Sequence, residues 1–370
     1  MRPLKIAQIA PLAESVPPKL YGGTERVVSW LTEELVRQGH DVTVFASGDS
    51  VTSAKLVSVT EQALRLNPLV RDTLGYHVML LEEVRRRAHE FDVIHFHIDL
   101  IQAPFERTLG IPSLTTLHGR LDLPDLVPFY RAFPDLPLVS ISNNQRLPMP
   151  PVNWLGTVLH GLPASLLPGT VDPQGGYLAF LGRISPEKRP DRAIEIAAQT
   201  GIPLKIAAKI DNADRDYWNE TIAPLVAKHG DVVEFVGEIN DQQKAQFLGN
   251  AKALLFPIDW PEPFGLVMIE AMACATPVIA FRCGSVPEVI DHGVTGFIVD
   301  DIAGAVAAVG QLDRLPREGV RARFEARFTA ERMARDYVAL YEYLVDANLH
   351  RTDNVVLLHE PERPLTPRIA

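Results

Sequence analysis

Two runs of short apolar segments, each followed by a stretch of helical periodicity, dominate this 370-residue chain and leave few folds open to it. In the first run Leu4–Ala10, Asp41–Ser47, Asp92–Asp99, Pro112–His118 and Leu136–Ser142 are rich in Val, Ile and Leu. Most are apolar on both faces, as strands enclosed between helices are. Between the first two, Thr24–Gln38 repeats Val27, Val28, Leu31 and Leu35 at helical spacing, and Gly39 supplies a stop. The pattern restarts at Gly176–Ile184 and continues through Leu204–Ile210, Val232–Ile239, Ala253–Ile258, Pro277–Phe281 and Gly296–Asp300. Helical stretches separate these strands at Arg189–Thr200, Asp216–Lys228, Asp241–Asn250 and Gly265–Ala275. Such alternation forces parallel sheets joined by right-handed crossovers. The chain therefore reads as α/β, with two doubly wound, Rossmann-like domains facing each other across a cleft. The Pro- and Gly-rich stretch Pro163–Gly176 marks the join, dividing residues 1–165 from 166–328. A last helix follows within 329–349, strongest over Thr329–Val345, and residues 350–370, with three prolines, read as a loose tail.

Composition narrows the function. Apolar residues make up 46% and charged residues 22%, enough to bury a large core. The net charge of −10 argues against a general nucleic-acid binder, which needs a basic surface. Cys274 and Cys283 form no CxxC pair and have no base beside them in sequence, so they read as inert thiols in a reducing, cytoplasmic protein. No apolar run is long enough to span a membrane, and the first strand starts at once, so no signal peptide is expected. Arg85, Arg86 and Arg87 follow Glu82 and Glu83 at helical spacing, which describes a solvated, salt-bridged face more simply than a membrane patch.

In doubly wound folds ligands bind beyond the carboxyl ends of the strands, and four constellations meet that test. Gly182-Arg183-Ile184-Ser185-Pro186-Glu187-Lys188 follows a strand and precedes a helix. Its guanidinium fork and ammonium suit a pyrophosphate, although a solvated turn would also carry such charges. Glu262-Pro263-Phe264-Gly265-Leu266 and Glu270 frame a helix start, where unsatisfied amides and the helix dipole form an anion seat. Capping explains Glu262 cheaply, but not Glu270 inside the apolar run LVMIEAMACA, where a carboxylate needs partners. Glu270 is suited to gripping two sugar hydroxyls. Along a straight helix Glu262 and Glu270 would stand about 12 Å apart, too far for a hydrolytic carboxylate pair. Gly22 and Gly23, ahead of the first helix in Tyr21-Gly22-Gly23-Thr24-Glu25, allow close backbone approach to a ligand, or simply a turn. Last, His95, His97 and Asp99 share one strand face, and His118 ends another strand. His97 and His118 are cleft candidates; His95 and His160 read as structural, and a metal reading of the HxHxD pattern lacks complementary ligands.

GRISPEKRPDRAI, EPFGLVMIEAMACATPVIA and SVPEVIDHGVTGFIV together resemble the retaining nucleotide-sugar glycosyltransferases of glycosyltransferase family 4. The resemblance spans most of residues 1–345 and is most specific between 176 and 300. It implies a GT-B fold whose last helix crosses back to the N-terminal domain, with the acceptor on the N-terminal side and the donor on the C-terminal side. It implies no metal and no cofactor beyond the nucleotide sugar itself. By matching position, Arg183 and Lys188 would hold the diphosphate and Glu270 the ribose hydroxyls. Glu262, with the backbone of Phe264, Gly265 and Leu266, would contact the transferred sugar and phosphate. Gly23 would approach the diphosphate or the acceptor, and His118 the donor sugar near its anomeric carbon. The backbone of Gly237, Glu238 and Ile239 would meet the nucleobase. Ala207-Ala208-Lys209 departs from the glycine-rich turn common in relatives, which brings Lys209 near the nucleotide. Gly22, Glu25, His97 and Arg120 are the acceptor-side candidates. The expected reaction is transfer of a hexose-type sugar from a UDP, GDP or ADP donor to a hydroxyl acceptor, by front-face attack with retention. A sugar-nucleotide binder without turnover, an epimerase and a phosphorylase are the alternatives.

Overall fold

The computed structural model describes residues 2–19 and 22–356. Its first sheet has seven parallel strands, β1 (Lys5–Ile9), β2 (Asp41–Phe45), β3 (Lys55–Val57), β4 (Val93–Phe96), β5 (Ser113–Thr116), β6 (Leu138–Ser140) and β7 (Trp154–Thr157), in the order β3-β2-β1-β4-β5-β6-β7. The second has six, β8 (Leu178–Arg183), β9 (Leu204–Lys209), β10 (Val233–Gly237), β11 (Ala253–Phe256), β12 (Val278–Phe281) and β13 (Gly296–Val299), in the order β10-β9-β8-β11-β12-β13. Both sheets are doubly wound, the Rossmann-like pair that defines a GT-B fold. The central strands are buried throughout, as in Ile6 to Ile9 and Val93 to Phe96, because crossover helices cover both faces. Strand order reverses between β1 and β4 and between β8 and β11, and each reversal opens a crevice at the strand ends.

Two strands escape the pattern of apolar runs. β3 is a three-residue edge with Lys55 and Leu56 exposed, and β7 (WLGT) is only half-buried along its length. Neither has two covered faces, so neither carries a continuous apolar signature.

Five helices matter to the site: α1 (Gly23–Arg37), α2 (Asp241–Gly249), α3 (Leu266–Ala273), α4 (Arg317–Arg327) and α5 (Ala330–Val356). α5 runs beyond the expected boundary, so residues 350–356 continue it in place of a tail; residues 357–370 lie outside those described. No Pro or Gly follows Val345 until Pro361, so no helix-breaking residue stops the helix earlier. Met333, Ala334, Tyr337, Val338 and Tyr341 form its buried stripe, packed on α1 and β4 of the first sheet. The two chain crossings between lobes lie side by side: Leu162 N–H donates to Phe328 O (3.0 Å) and Ala330 N–H to Leu162 O (2.9 Å). One apolar cluster runs through both lobes, from Ile6 and Leu31 to Phe264, Met268 and Tyr337. Among the described residues no helix is long and apolar enough to cross a membrane.

Candidate functional site

The cations gather at the β8 end. Arg183 is the last residue of β8 and lies in register with Lys209, the last of β9. Its guanidinium donates to Glu187 (2.9 Å) and stands 3.5 Å from Asp214 and 3.8 Å from Asp211, which also holds Lys209 at 2.9 Å. Burial pushes the Asp214 carboxyl up, with Arg183 opposing it. Five residues on, Lys188 donates to Glu262, and its ammonium lies over the Trp260 ring at 4.8 Å and the Phe256 ring at 5.7 Å. Trp260 Nε1 donates to the same Glu262 oxygen (3.1 Å). Lys188, five residues past the end of β8, therefore meets Glu262 from the segment after β11, while Arg183 at the strand end faces the β9 side.

The segment from Trp260 to Gly265 that carries Glu262 is braced from three sides. Cys283 Sγ reaches Trp260 O (2.9 Å), Ser285 N–H donates to Glu262 O (2.9 Å), and Ser285 Oγ donates to Phe264 O (2.8 Å). From the other lobe, Ser142 Oγ donates to Pro263 O (2.6 Å). Gly265 then turns left-handed (φ 78°) to start α3, whose first-turn amides no side chain caps. Those amides point along the helix axis, an anion seat of the expected kind. Gly284 has φ 55°, and a Cβ there would sit 2.3 Å from Glu262 N and 2.4 Å from Glu262 O. Both contacts are with backbone, so a methyl group must displace the Glu262 strip. Gly284→Ala is expected to cost about 1–3 kcal/mol in stability and to cut turnover more than it weakens UDP binding. Denaturant melts and steady-state kinetics would check both.

Glu270 sits one turn into α3, 5% exposed. Lys244 of α2 donates to it at 2.8 Å and stands 3.3 Å from Asp241, which pairs with Arg26 of α1 across the lobes. Burial depresses Lys244, but the carboxylates of Glu270 and Asp241 together outweigh this and hold the ammonium above the usual lysine range. A capping box fixes the start of α2: Gln243 N–H donates to Asn240 Oδ1 and Asn240 N–H to Gln243 Oε1. That start follows Gly237, which turns left-handed (φ 78°) at the end of β10, then Glu238, exposed, and Ile239, half-buried.

On the opposite lobe the histidines form a stack in which His95, His97 and His160 are buried and His118 is half-buried. His97 Nδ1 and His118 Nε2 are 2.9 Å apart, and His118 lies parallel to His160 with ring centroids 5.3 Å apart. His160 meets the Phe264 ring edge-on at 4.9 Å, which brings His118 to the Glu262 segment. Burial pushes His118 down to about 3 and lowers His95, His97 and His160 as well, so all four are neutral near pH 7. Among the described residues no group of three His, Cys, Asp or Glu side chains is placed to hold a metal ion, and His95 instead spends its nitrogens on Tyr341 and Thr116.

Two acceptor-side candidates are placed otherwise than expected. His97 is 2% exposed and uses both nitrogens, on Gln8 and His118, so it stands behind the cleft wall. Glu25 is buried beneath Gly22, and burial pushes its carboxyl up. Both residues lie at positions that alternate toward the core, which period-two and helical counting alone do not separate from cleft-facing ones. Gly23 is exposed, and a Cβ built on it would lie 3.8 Å from Leu266 Cδ1 across the lobes; Arg120 lies over Trp260 at 5.5 Å. Tyr21 lies outside the described residues. Trp260, Lys244, Ser142, Gly284 and His160 are the site neighbours that no motif announced; only His160, in a His-Gly pair after an apolar run, carried a visible signal.

The C-terminal lobe matches a model of glycosyl transferases group 1 over residues 170–323, and the N-terminal lobe matches glycosyltransferase family 4 over residues 21–146. A D-inositol 3-phosphate glycosyltransferase of Acidothermus cellulolyticus is 26% identical over 351 residues, 79% of this chain and 78% of its own. Sucrose-phosphate synthase of Thermosynechococcus elongatus superposes with TM-score 0.76 at 21% identity, covering 93% of this chain and 100% of the other. The Anabaena protein HepE, in complex with UDP and glucose, superposes with TM-score 0.70 at 18% identity, covering 92% and 100%. The structural likenesses carry the fold, and the lobe-by-lobe matches carry the activity. With one glycosyltransferase model on each lobe and two facing doubly wound sheets between which the matched motifs converge, this protein is a glycosyltransferase of GT-B architecture.

Proposed function

We propose that the protein is a retaining, metal-independent hexosyltransferase of family 4 that moves a sugar from a nucleoside diphosphate to a hydroxyl acceptor. The observation that carries this reading is the pairing of Lys188 with Glu262 beside the uncapped start of α3, with Arg183 at the end of the strand that Lys188 follows. As the sugar–phosphate bond breaks, negative charge grows on the diphosphate. Fixed cations and amides aimed at that charge lower the barrier without reorganising. Arg183, Lys188 and the amides of Gly265 and Leu266 take that part, with Lys209 beside them and Phe264 contributing backbone only, since its ring is core.

The remaining roles follow from position. Glu270 grips the ribose, exchanging its Lys244 contact for hydroxyls, and Gly237, Glu238 and Ile239 offer backbone to the base. Glu262 leaves Lys188 to the phosphate and turns to the sugar hydroxyls, while His118 faces the sugar from the other lobe. Gly22, Gly23 and Arg120 border the acceptor. In the front-face step, the acceptor oxygen bonds to the anomeric carbon as the phosphate oxygen leaves on the same side. The acceptor proton passes to that departing phosphate oxygen, so no protein base is required.

UDP is the first nucleotide to test, since HepE, of the same fold, is complexed with UDP and glucose. At a hundredfold excess over its Kd, the matching nucleotide stabilises the protein by about 2.7 kcal/mol, readable as a thermal shift against GDP and ADP. With a turned-over donor, nuclear magnetic resonance of the fresh product is expected to give the donor's own anomeric configuration. An inverted product would overturn retention, and turnover that chelator abolishes and a divalent cation restores would overturn metal independence.

A further inference from the structure

Six side chains continue the histidine stack away from the cleft and end on α5. Gln8 sits between two of them: its Oε1 is 2.7 Å from His97 Nε2, and its Nε2 donates to the Tyr341 hydroxyl at 3.1 Å. The Tyr341 hydroxyl is 2.7 Å from His95 Nδ1, His95 Nε2 is 2.7 Å from Thr116 Oγ1, and Thr116 Oγ1 is 3.0 Å from the Tyr337 hydroxyl. Every one of these groups is buried.

With Gln8 held this way, each proton has one place. A carboxamide oxygen only accepts, so His97 carries its proton on Nε2. Its Nδ1 is then a lone pair, and the 2.9 Å contact requires His118 to donate from Nε2. His118 Nδ1 is consequently bare. It is shielded from solvent and makes no hydrogen bond among the described residues. On the other side, Tyr341 accepts from Gln8 and donates to His95 Nδ1. His95 then donates from Nε2 to Thr116, which donates to Tyr337. Turning the Gln8 carboxamide over would reverse the whole chain and leave a buried N–H on His118 Nδ1.

We infer that Tyr341, reaching from the C-terminal helix into the N-terminal sheet, acts through Gln8 and His97 to hold His118 as its Nε2–H tautomer, leaving Nδ1 the unprotonated, unpartnered acceptor that a donor-sugar hydroxyl would need on binding. The inference rests on the reading of His118 as a donor-sugar contact. Tyr341, Gln8 and His97 are positioning residues: none reaches the cleft. The arrangement makes the docking of α5 a condition for the correct face of His118, since the hydroxyl that orients Gln8 arrives only with that helix. Orientation errors at a reacting centre typically cost about a hundredfold in rate.

The test uses the full chain labelled with nitrogen-15 in histidine, His118→Ala serving to assign the His118 signals. Long-range proton–nitrogen correlation is expected to report His118 as the neutral Nε2–H form. In Tyr341→Phe the signals are expected to shift to a mixture or to Nδ1–H. Turnover of UDP-glucose, the donor tested with UDP, falls about ten- to hundredfold, while the UDP thermal shift, which involves no transferred sugar, stays within error of the native value. Gln8→Met removes the same link from inside the sheet and carries the test alone should Tyr341→Phe fail to fold. A native His118 already protonated on Nδ1, or a tautomer unchanged in both variants, overturns the inference. So does full turnover in a variant whose tautomer has changed. If His118→Ala itself keeps full turnover, the donor-sugar reading fails instead.

Discussion

Arg183→Ala is expected to lower kcat by about a hundred- to a thousandfold and to erase the thermal shift given by the matching nucleoside diphosphate. The size follows from what the residue leaves behind. Arg183 is the cation shared by Glu187, Asp211 and Asp214, all within 4 Å of its guanidinium. When a diphosphate binds, the guanidinium satisfies phosphate oxygens and keeps those carboxylates from facing them unscreened. Alanine removes the donor and exposes the incoming negative charge to three acids. At about 4 Å each such pair is worth about 1 kcal/mol in bulk water and about 4 kcal/mol near a protein surface. Two consequences separate this account from simple loss of a hydrogen bond. Neutralising an acid in the same background, as in Arg183→Ala with Asp214→Asn, is expected to recover about tenfold of the lost rate. Residual activity of the single variant is also expected to improve toward acid pH. Burial already raises the Asp214 carboxyl, loss of Arg183 raises it further, and protonation removes the repulsion as pH falls through that raised value. An undiminished nucleotide shift in Arg183→Ala would take the residue out of the diphosphate site.

The parts of this molecule that could be read without coordinates are those whose signal is local. Strands enclosed on both faces, such as Ile6–Ile9 and Leu254–Phe256, announce themselves by apolar runs, and Gly265 announces the start of α3 because a left-handed residue there has to be glycine. Edge strands such as β3 carry no such run, and α4, with three buried residues in eleven, has too thin an apolar stripe to count. Arg183, Lys188, Glu262 and Glu270 were legible because each follows a strand or interrupts an apolar helix. Their partners were not: Lys188 finds Glu262 and Lys244 finds Glu270 at separations of 74 and 26 residues. Spacing along a chain is silent on which carboxylate a cation meets when the fold brings two strand ends together. The histidines illustrate the same limit. Period-two counting put His95 and His97 on one face, but which of His97, His118 and His160 borders the cleft is decided by depth in the sheet, a tertiary quantity.

Glu270→Ala is expected to do two separable things. First, it breaks a pair whose side chains are 15% and 7% exposed, leaving the Lys244 ammonium buried beside Arg26, with Asp241 between them. Removing one member of a buried ion pair typically costs about 3–5 kcal/mol, which denaturant melts would register as a loss of stability. Second, it removes the carboxylate that grips the ribose, so the nucleotide thermal shift disappears. The two effects come apart in Glu270→Leu with Lys244→Met. Replacing both members of a buried pair with apolar groups of similar volume is commonly neutral or stabilising, and Asp241 keeps its Arg26 partner across the lobes. The double variant is therefore expected to regain stability to within about 1 kcal/mol of the native protein while remaining blind to UDP, GDP and ADP. Return of the nucleotide shift together with the stability would mean that Glu270 serves only as the counter-ion of Lys244. A stable protein that binds no nucleotide, when Lys244→Met alone still binds it, would instead tie the carboxylate to the ribose, because the fold would then be intact and the hydroxyl acceptors missing.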